Sequence, residues 1–265
     1  MKSSKIIALN KWLFTLLLSA AFVTAYGQKP PSEQKGSVRA PSTIKIDGKA
    51  TEWDNKFQAY SNHTQFYYTI SNDDNNLYLT VQADEPPIIR RIINGGITLT
   101  INKSGKKKDG EGIHITYPLL SRFTVPLKNP RARFNGPAPV TEGDSLMNVT
   151  NTRMNDKSKE IRVIGIKNID TLISVYNTDG IKAASAFNNK MVYTYEMAIS
   201  LKTLGLSTKN PARFMYQVMI NAMESKGINI VKNESGGIVS VNIVGPNAVM
   251  GQEATDFWGE YTLAK

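Results

Sequence analysis

FYYTISNDDNNLYLTVQ, residues 66–82, carries two runs of alternation around a polar break. Phe66, Tyr68 and Ile70 alternate with Tyr67, Thr69 and Ser71; after the break, Leu77, Leu79 and Val81 alternate with Tyr78, Thr80 and Gln82. A period of two sends successive side chains to opposite faces of a strand, so each run has one apolar face and one mixed face. Asn and Asp side chains bond nearby backbone and tolerate left-handed conformations, so Asn72–Asn76 reads as a turn and the whole stretch as a β-hairpin. The run also offers Asp73, Asp74 and Asn75 as oxygen ligands for calcium, but it lacks the spacing and the distant glutamate of a self-sufficient loop. The plain turn is the stronger reading.

The same pattern continues outward. Ile97, Leu99 and Ile101 share one face, as do Ile113, Ile115 and Tyr117, with a turn containing Lys106-Lys107-Lys108 between the two runs. Further strands are expected over 161–167, 170–176, 181–187, 191–199, 213–222, 238–244 and 257–263. Only SLKTLGL, residues 200–206, suggests a helical turn, with Ser200 as cap and Gly205 as stop. An all-β, antiparallel β-sandwich follows, formed by one domain over residues 43–265. Residues 118–160, with five prolines among Arg122, Arg131 and Arg133, and residues 223–256, rich in Gly, Asn and Ser, read as two long loops. Loops of that length on a compact scaffold are often functional.

The N-terminus reads as an address. Lys2, Lys5 and Lys11 precede an apolar run from Trp12 to Val23, and Ala25-Tyr26-Gly27 supplies small residues before a cleavage point, which marks residues 1–27 as a secretory signal peptide. The run is shorter than the roughly 20 residues a bilayer span needs. Its removal lowers the formal charge from +10 to +7. Residues 28–42, QKPPSEQKGSVRAPS, are polar and poor in apolar surface, which reads as a flexible leader. There are no cysteines, so neither disulfides nor a lipidated N-terminal cysteine is available, and the expected location is the periplasm or the cell exterior. The basic residues are spread along the chain; the lysine cluster reads first as a solvated turn and second as a contact for phosphate or an anionic glycan, and nucleic acid is not an expected partner.

Catalytic chemistry finds little support. Glu52 with Asp54, and Asp84 with Glu85, lie close in sequence, but adjacent strand residues point to opposite faces, so turn and strand-end roles are expected. The two histidines, His63 and His114, show no metal-ligand spacing, and no nucleophile elbow or phosphate-binding glycine loop appears. No enzyme activity, metal or cofactor is therefore expected. Glu196 stands mid-strand in VYTYEMAIS, on the face of Thr194 and Ala198. If that face is buried, Glu196 needs a partner, either an ion pair with an arginine or a ligand.

IKIDGKATEW (44–53), SNDDNNLYLTVQADE (71–85), YTYEMAISLKTLGL (193–206) and DFWGEYTL (256–263) occur in this order, and as an ordered set they resemble the carbohydrate-binding module family 9-like domains, sandwiches related to the DOMON group. The segment NGGITLTINKSGKKKDGEGIHITYP (94–118) is similar to a version met in exported proteins of Bacteroidota. The resemblance implies that the Asp-Gly turn and the acidic-Trp pair open the first strand, with Trp53 packing against the sandwich. It implies a carbohydrate ligand stacked on exposed aromatic rings. Two departures stand out: the expected mature chain has only Trp53 and Trp258, both of which read as packing residues, and Ser200 stands where the family tends to have proline.

On this basis the expected ligand site combines Tyr67 and Tyr78, on the mixed face of the first hairpin, with Arg133 and Asn135 from the long loop. The expected function is an exported, non-catalytic module that binds carbohydrate. The alternative is a cell-envelope structural or protein-interaction module that binds no glycan, in which the same loops meet another protein.

Overall fold

The computed structural model describes residues 30–54, 56–108, 110–120, 140–222, 228–232, 238–243 and 253–265. The expected signal segment, 1–27, lies outside them. Within the compact unit Pro31–Lys265 the strands are β1 (Ala59–Ser61), β2 (Phe66–Asn72), β3 (Asn76–Ala83), β4 (Ile97–Asn102), β5 (Ile113–Tyr117), β6 (Glu160–Ile164), β7 (Leu172–Ser174), β8 (Ile181–Phe187), β9 (Tyr193–Ser200), β10 (Arg213–Ile220), β11 (Ile228–Lys232), β12 (Ile238–Ile243) and β13 (Thr255–Thr262). They form a five-stranded sheet, β1-β2-β3-β9-β8, a six-stranded sheet, β13-β10-β4-β5-β6-β7, and a separate pair, β11-β12, all antiparallel. The protein is an all-β sandwich.

Alternation dictates what lies between the two large sheets. Phe66, Tyr68, Ile70, Leu77, Leu79, Val81, Tyr193, Tyr195, Met197 and Ile199 from one sheet share a single buried cluster with Ile97, Leu99, Ile101, Ile115, Phe214, Tyr216, Val218 and Tyr261 from the other. The expected turn between β2 and β3 is present: Asp73 Oδ1 accepts the N–H groups of Asn75 and Asn76, and Oδ2 accepts the Tyr78 hydroxyl. The carboxylate oxygens are thus spent on the turn. Gly205 ends the helical turn α3 (Leu201–Leu204) at φ 63° as expected, whereas Ser200 takes the N-cap position without a side-chain bond.

Two helices depart from the sequence expectation. α1 (Pro86–Gly95) starts with two prolines at N1/N2 and buries Ile88, Ile89, Ile92 and Ile93, a helical repeat opened by residues that do not need their N–H groups there. α2 (Val140–Lys157) occupies part of the segment read as a long loop, because the prolines of that segment all precede it. Likewise residues 223–256 contain the β11-β12 hairpin.

Side chains close parts of both edges of the five-stranded sheet. Composition makes residues 28–42 a flexible leader, yet Gln34 to Ala40 are fastened to β2, since polar side chains bonded to a strand edge need no apolar surface of their own. The Gln34 amide donates to Ile70 O (2.7 Å) and accepts from Ile70 N (2.8 Å), and the Val38 and Ala40 backbone bonds Asn72. On the opposite edge of the same sheet, Asn151 of α2 donates to Phe187 O (2.9 Å) and accepts from Phe187 N (2.8 Å). Asn72 makes the same pair of bonds to Ala264, joining β2 to the end of the other sheet. Each carboxamide supplies one donor and one acceptor and so imitates a neighbouring strand, which satisfies the edge and blocks extension of the sheet.

Candidate functional site

The middle of the outer face of the five-stranded sheet is polar and covered. Pairing places Thr69, Thr80, Glu196 and Ala184 in one row across β2, β3, β9 and β8. Thr69, Thr80 and Glu196 are each at most 1% exposed. The cover comes from residues 44–54 and 56–58. Glu196 Oε2 accepts the N–H groups of Asp47 (3.1 Å) and Gly48 (2.9 Å), and Gln58 N donates to Thr69 Oγ1 (3.1 Å) at the far side. Gly48 sits at φ 80° with no room for a side chain: a Cβ there would lie 2.6 Å from the backbone of Ser185 and Ala186. The Asp-Gly pair is therefore required by conformation and by close approach together.

This arrangement corrects two expectations. Residues 44–53 do not open a strand; they end in a single 3-10 turn, Thr51–Trp53, of a strap laid over the sheet. Trp53 is buried at 7% exposure, as a packing residue should be, but it stands outside the main core cluster, and its Nε1 has no partner among the described residues. Glu196 has backbone N–H groups and not an arginine as its partners, because the strap presents amides to it. Burial pushes its carboxyl up to about 7; the two N–H groups oppose this, and the negative charges of Asp47 and Glu52 add to it.

Of the four residues expected to bind ligand, Arg133 and Asn135 lie outside the described residues. Tyr67 is half-buried on the outer face, opposite Tyr60 on β1 and Gln82 on β3. Its ring lies 4.8 Å from that of Tyr60 at 62° and 6.0 Å from that of Phe57 at 40°. Burial raises the Tyr60 hydroxyl above its usual range, with help from Tyr67, Asp84 and Glu85. Tyr78 does not share this cluster. It is 5% exposed, pairs with Ser71 four positions along β2, roughly 13 Å away by strand rise, and donates to Asp73 Oδ2 at 2.6 Å. Burial, then the bond to Asp73, pushes its hydroxyl up to about 12. Tyr78 is a turn-fixing residue, because alternation tells which face a ring takes but not whether that face is covered.

A cleft of about 360 Å³ opens beside the β1–β2 hairpin, lined by Glu33, Asn62, His63, Lys107, Asp256 and Trp258 together with Ser32, Ser61 and Phe257. β13 builds its apolar wall. Phe257 turns inward against Phe66 and Tyr68, at 6.1 and 4.5 Å, and Trp258, next in the strand, turns the other way and is half-buried. Trp258 is thus partly open to the cleft. Asp256 is oriented by Gln217, whose Nε2 donates to Oδ2 at 2.7 Å. The lysine turn contributes Lys107, while its neighbour Lys108 pairs with Glu111 at 2.9 Å. The sequence holds the clue to Trp258 in the Phe-Trp pair itself: in a strand, one of two adjacent aromatic residues must face away from the core.

Among the described residues no group of three metal-ligating side chains is placed to hold an ion, and no helix is long and apolar enough to cross a membrane. No protein-family model matches the chain, and no curated protein matches it by sequence.

Proposed function

We propose that the protein is an exported, non-catalytic module that binds carbohydrate in the periplasm or outside the cell, of the kind seen in carbohydrate-binding module family 9-like and DOMON-like domains. The observation that carries the reading is the cleft at Trp258, where an indole stands among two carboxylates, an amide, an imidazole, an ammonium and two hydroxyls. A sugar presents a flat apolar face and a rim of hydroxyls, and that set supplies a stacking surface with donors and acceptors around it. The ordered motifs and the lysine, apolar and small-residue pattern of residues 1–27 support the family and the export parts of the reading.

Isothermal titration of the mature protein against a panel of soluble polysaccharides tests it. Binding that Trp258→Ala weakens at least tenfold, with its thermal midpoint little changed, is the expected result. No binding across the panel and on a glycan array refutes it. The envelope-interaction alternative draws on a different feature: Ile164, Leu172 and Tyr176, at 50%, 51% and 76% exposure, gather on and beside the β6–β7 edge. Co-purification of a defined envelope partner, lost in Leu172→Ser, with no glycan signal, would favour it.

A further inference from the structure

We infer that the cleft at Trp258 takes an ammonium group, so that its ligand is a glycan whose sugar rings carry free amines. The inference rests on the carbohydrate reading above and adds the chemical class of the ligand. The charge of the lining carries it. Two carboxylates, Glu33 and Asp256, stand in the cleft against one ammonium, Lys107, a formal −1 with His63 neutral, in a chain whose formal charge is +10. The cleft is thus an acidic spot on a basic protein. Among the described residues neither carboxylate forms an ion pair, although Lys107 lines the same cleft.

Both carboxylates are held in place by their surroundings. Asp256 stands two positions before Trp258 in β13, on the same face and about 7 Å along the strand. The Nε2 of Gln217, a residue 7% exposed, fixes Asp256 Oδ2 at 2.7 Å, while Oδ1 has no partner among the described residues. Glu33 lies between two anchored residues: Pro31 O accepts the Tyr60 N–H (2.9 Å), and the buried Gln34 carboxamide pairs with Ile70. A carboxylate accepts hydrogen bonds and donates none, so a neutral sugar reaches it only through a hydroxyl, whereas an ammonium brings three donors and a charge. The indole adds to the preference, because its ring face attracts a cation. Glycans rich in carboxylates or sulfates meet Glu33 and Asp256 as like charges and are disfavoured. Lys107 competes with the ligand for the same two carboxylates.

The test is calorimetry of the full mature protein at neutral pH with short oligosaccharides that share one backbone and differ only at C2. The cello series carries a hydroxyl there, the chito series an acetamide and the chitosan series a free amine. The chitosan sugar should bind about tenfold tighter than the other two, and that margin should shrink as salt is added. Asp256→Asn, which keeps an oxygen for Gln217, and Glu33→Gln, at an exposed position, should each reduce the margin by about threefold or more, whereas Lys107→Met should widen it. If Asp256→Asn lowers the thermal midpoint, Glu33→Gln reads the same site from the leader. Equal affinity for the three sugars, a preference for the cello or chito sugar, or a chitosan preference that both carboxamide variants leave intact overturns the ammonium site while the carbohydrate reading stands. Tighter binding of an oligogalacturonate, lost in Lys107→Met, overturns it in favour of an anion. Absence of binding to these sugars and to the polysaccharide panel removes the carbohydrate reading, and this inference falls with it.

Discussion

Glu196→Gln probes how the strap is held. The Glu196 carboxyl is fully buried and its proton affinity is pushed up to about 7 by that burial, against an ordinary value of 4.5. Between these two values the folded protein holds a proton on Glu196 that the unfolded chain has released, so stability falls as pH rises across the window. The contribution is fully present below about 4.5 and lost above about 7; the difference corresponds to roughly 3 kcal/mol. An amide cannot titrate but still offers an oxygen to the Asp47 and Gly48 N–H groups. Urea unfolding of both proteins at half-unit steps from pH 4.5 to 8 should show the natural protein losing roughly 3 kcal/mol relative to the Gln variant across that range. Taking the difference cancels groups common to both, including Asp73, whose carboxyl is pushed up by burial but held lower overall by hydrogen bonds from Tyr78, Asn75 and Asn76. A constant difference across the range, or a gain by the natural protein as pH rises, would refute the reasoning.

Gly48→Ala should cost roughly 2–4 kcal/mol, from the left-handed backbone and the collision with Ser185 and Ala186, and a double variant with Glu196→Gln should cost less than the sum; additive effects in denaturant melts would separate the turn from the carboxylate. Asn151→Ala should cost roughly 1–3 kcal/mol and speed hydrogen exchange at the Phe187 amide, whereas unchanged exchange there would show that the carboxamide does not close the edge. Export should cut the chain after Gly27, which mass spectrometry of protein from the native host will detect as a Gln28 N-terminus; an intact Met1 with the apolar run retained would dismiss the signal peptide.

Much of the fold was legible because a strand writes its burial into a period of two. The hairpin of β2 and β3, the pairing of β4 with β5 and the run of strands from 181 to 262 all show that period, and apolar burial on one face then demands a second sheet. The Asp-Gly pair at 47–48 and the carboxylate at 196 were each conspicuous in the sequence, but nothing in either stretch says that they meet across 148 residues. The candidate site was less legible for the same reason. Tyr67 and Tyr78 carry the same sequence signal, an aromatic ring on the mixed face of a hairpin strand, and they differ only in what stands above them: Tyr67 stays half-exposed, and Tyr78 is closed in and bonded to Asp73. The cleft residues come from the leader, the first hairpin, the lysine turn and the last strand, and only the tertiary structure brings those four together. Local sequence determines the face a side chain takes, because that depends on neighbouring peptide units. Whether the face is covered, and which distant residue completes a site, depends on how the sheets and straps pack, and that is set by long-range contacts which no short window of sequence contains.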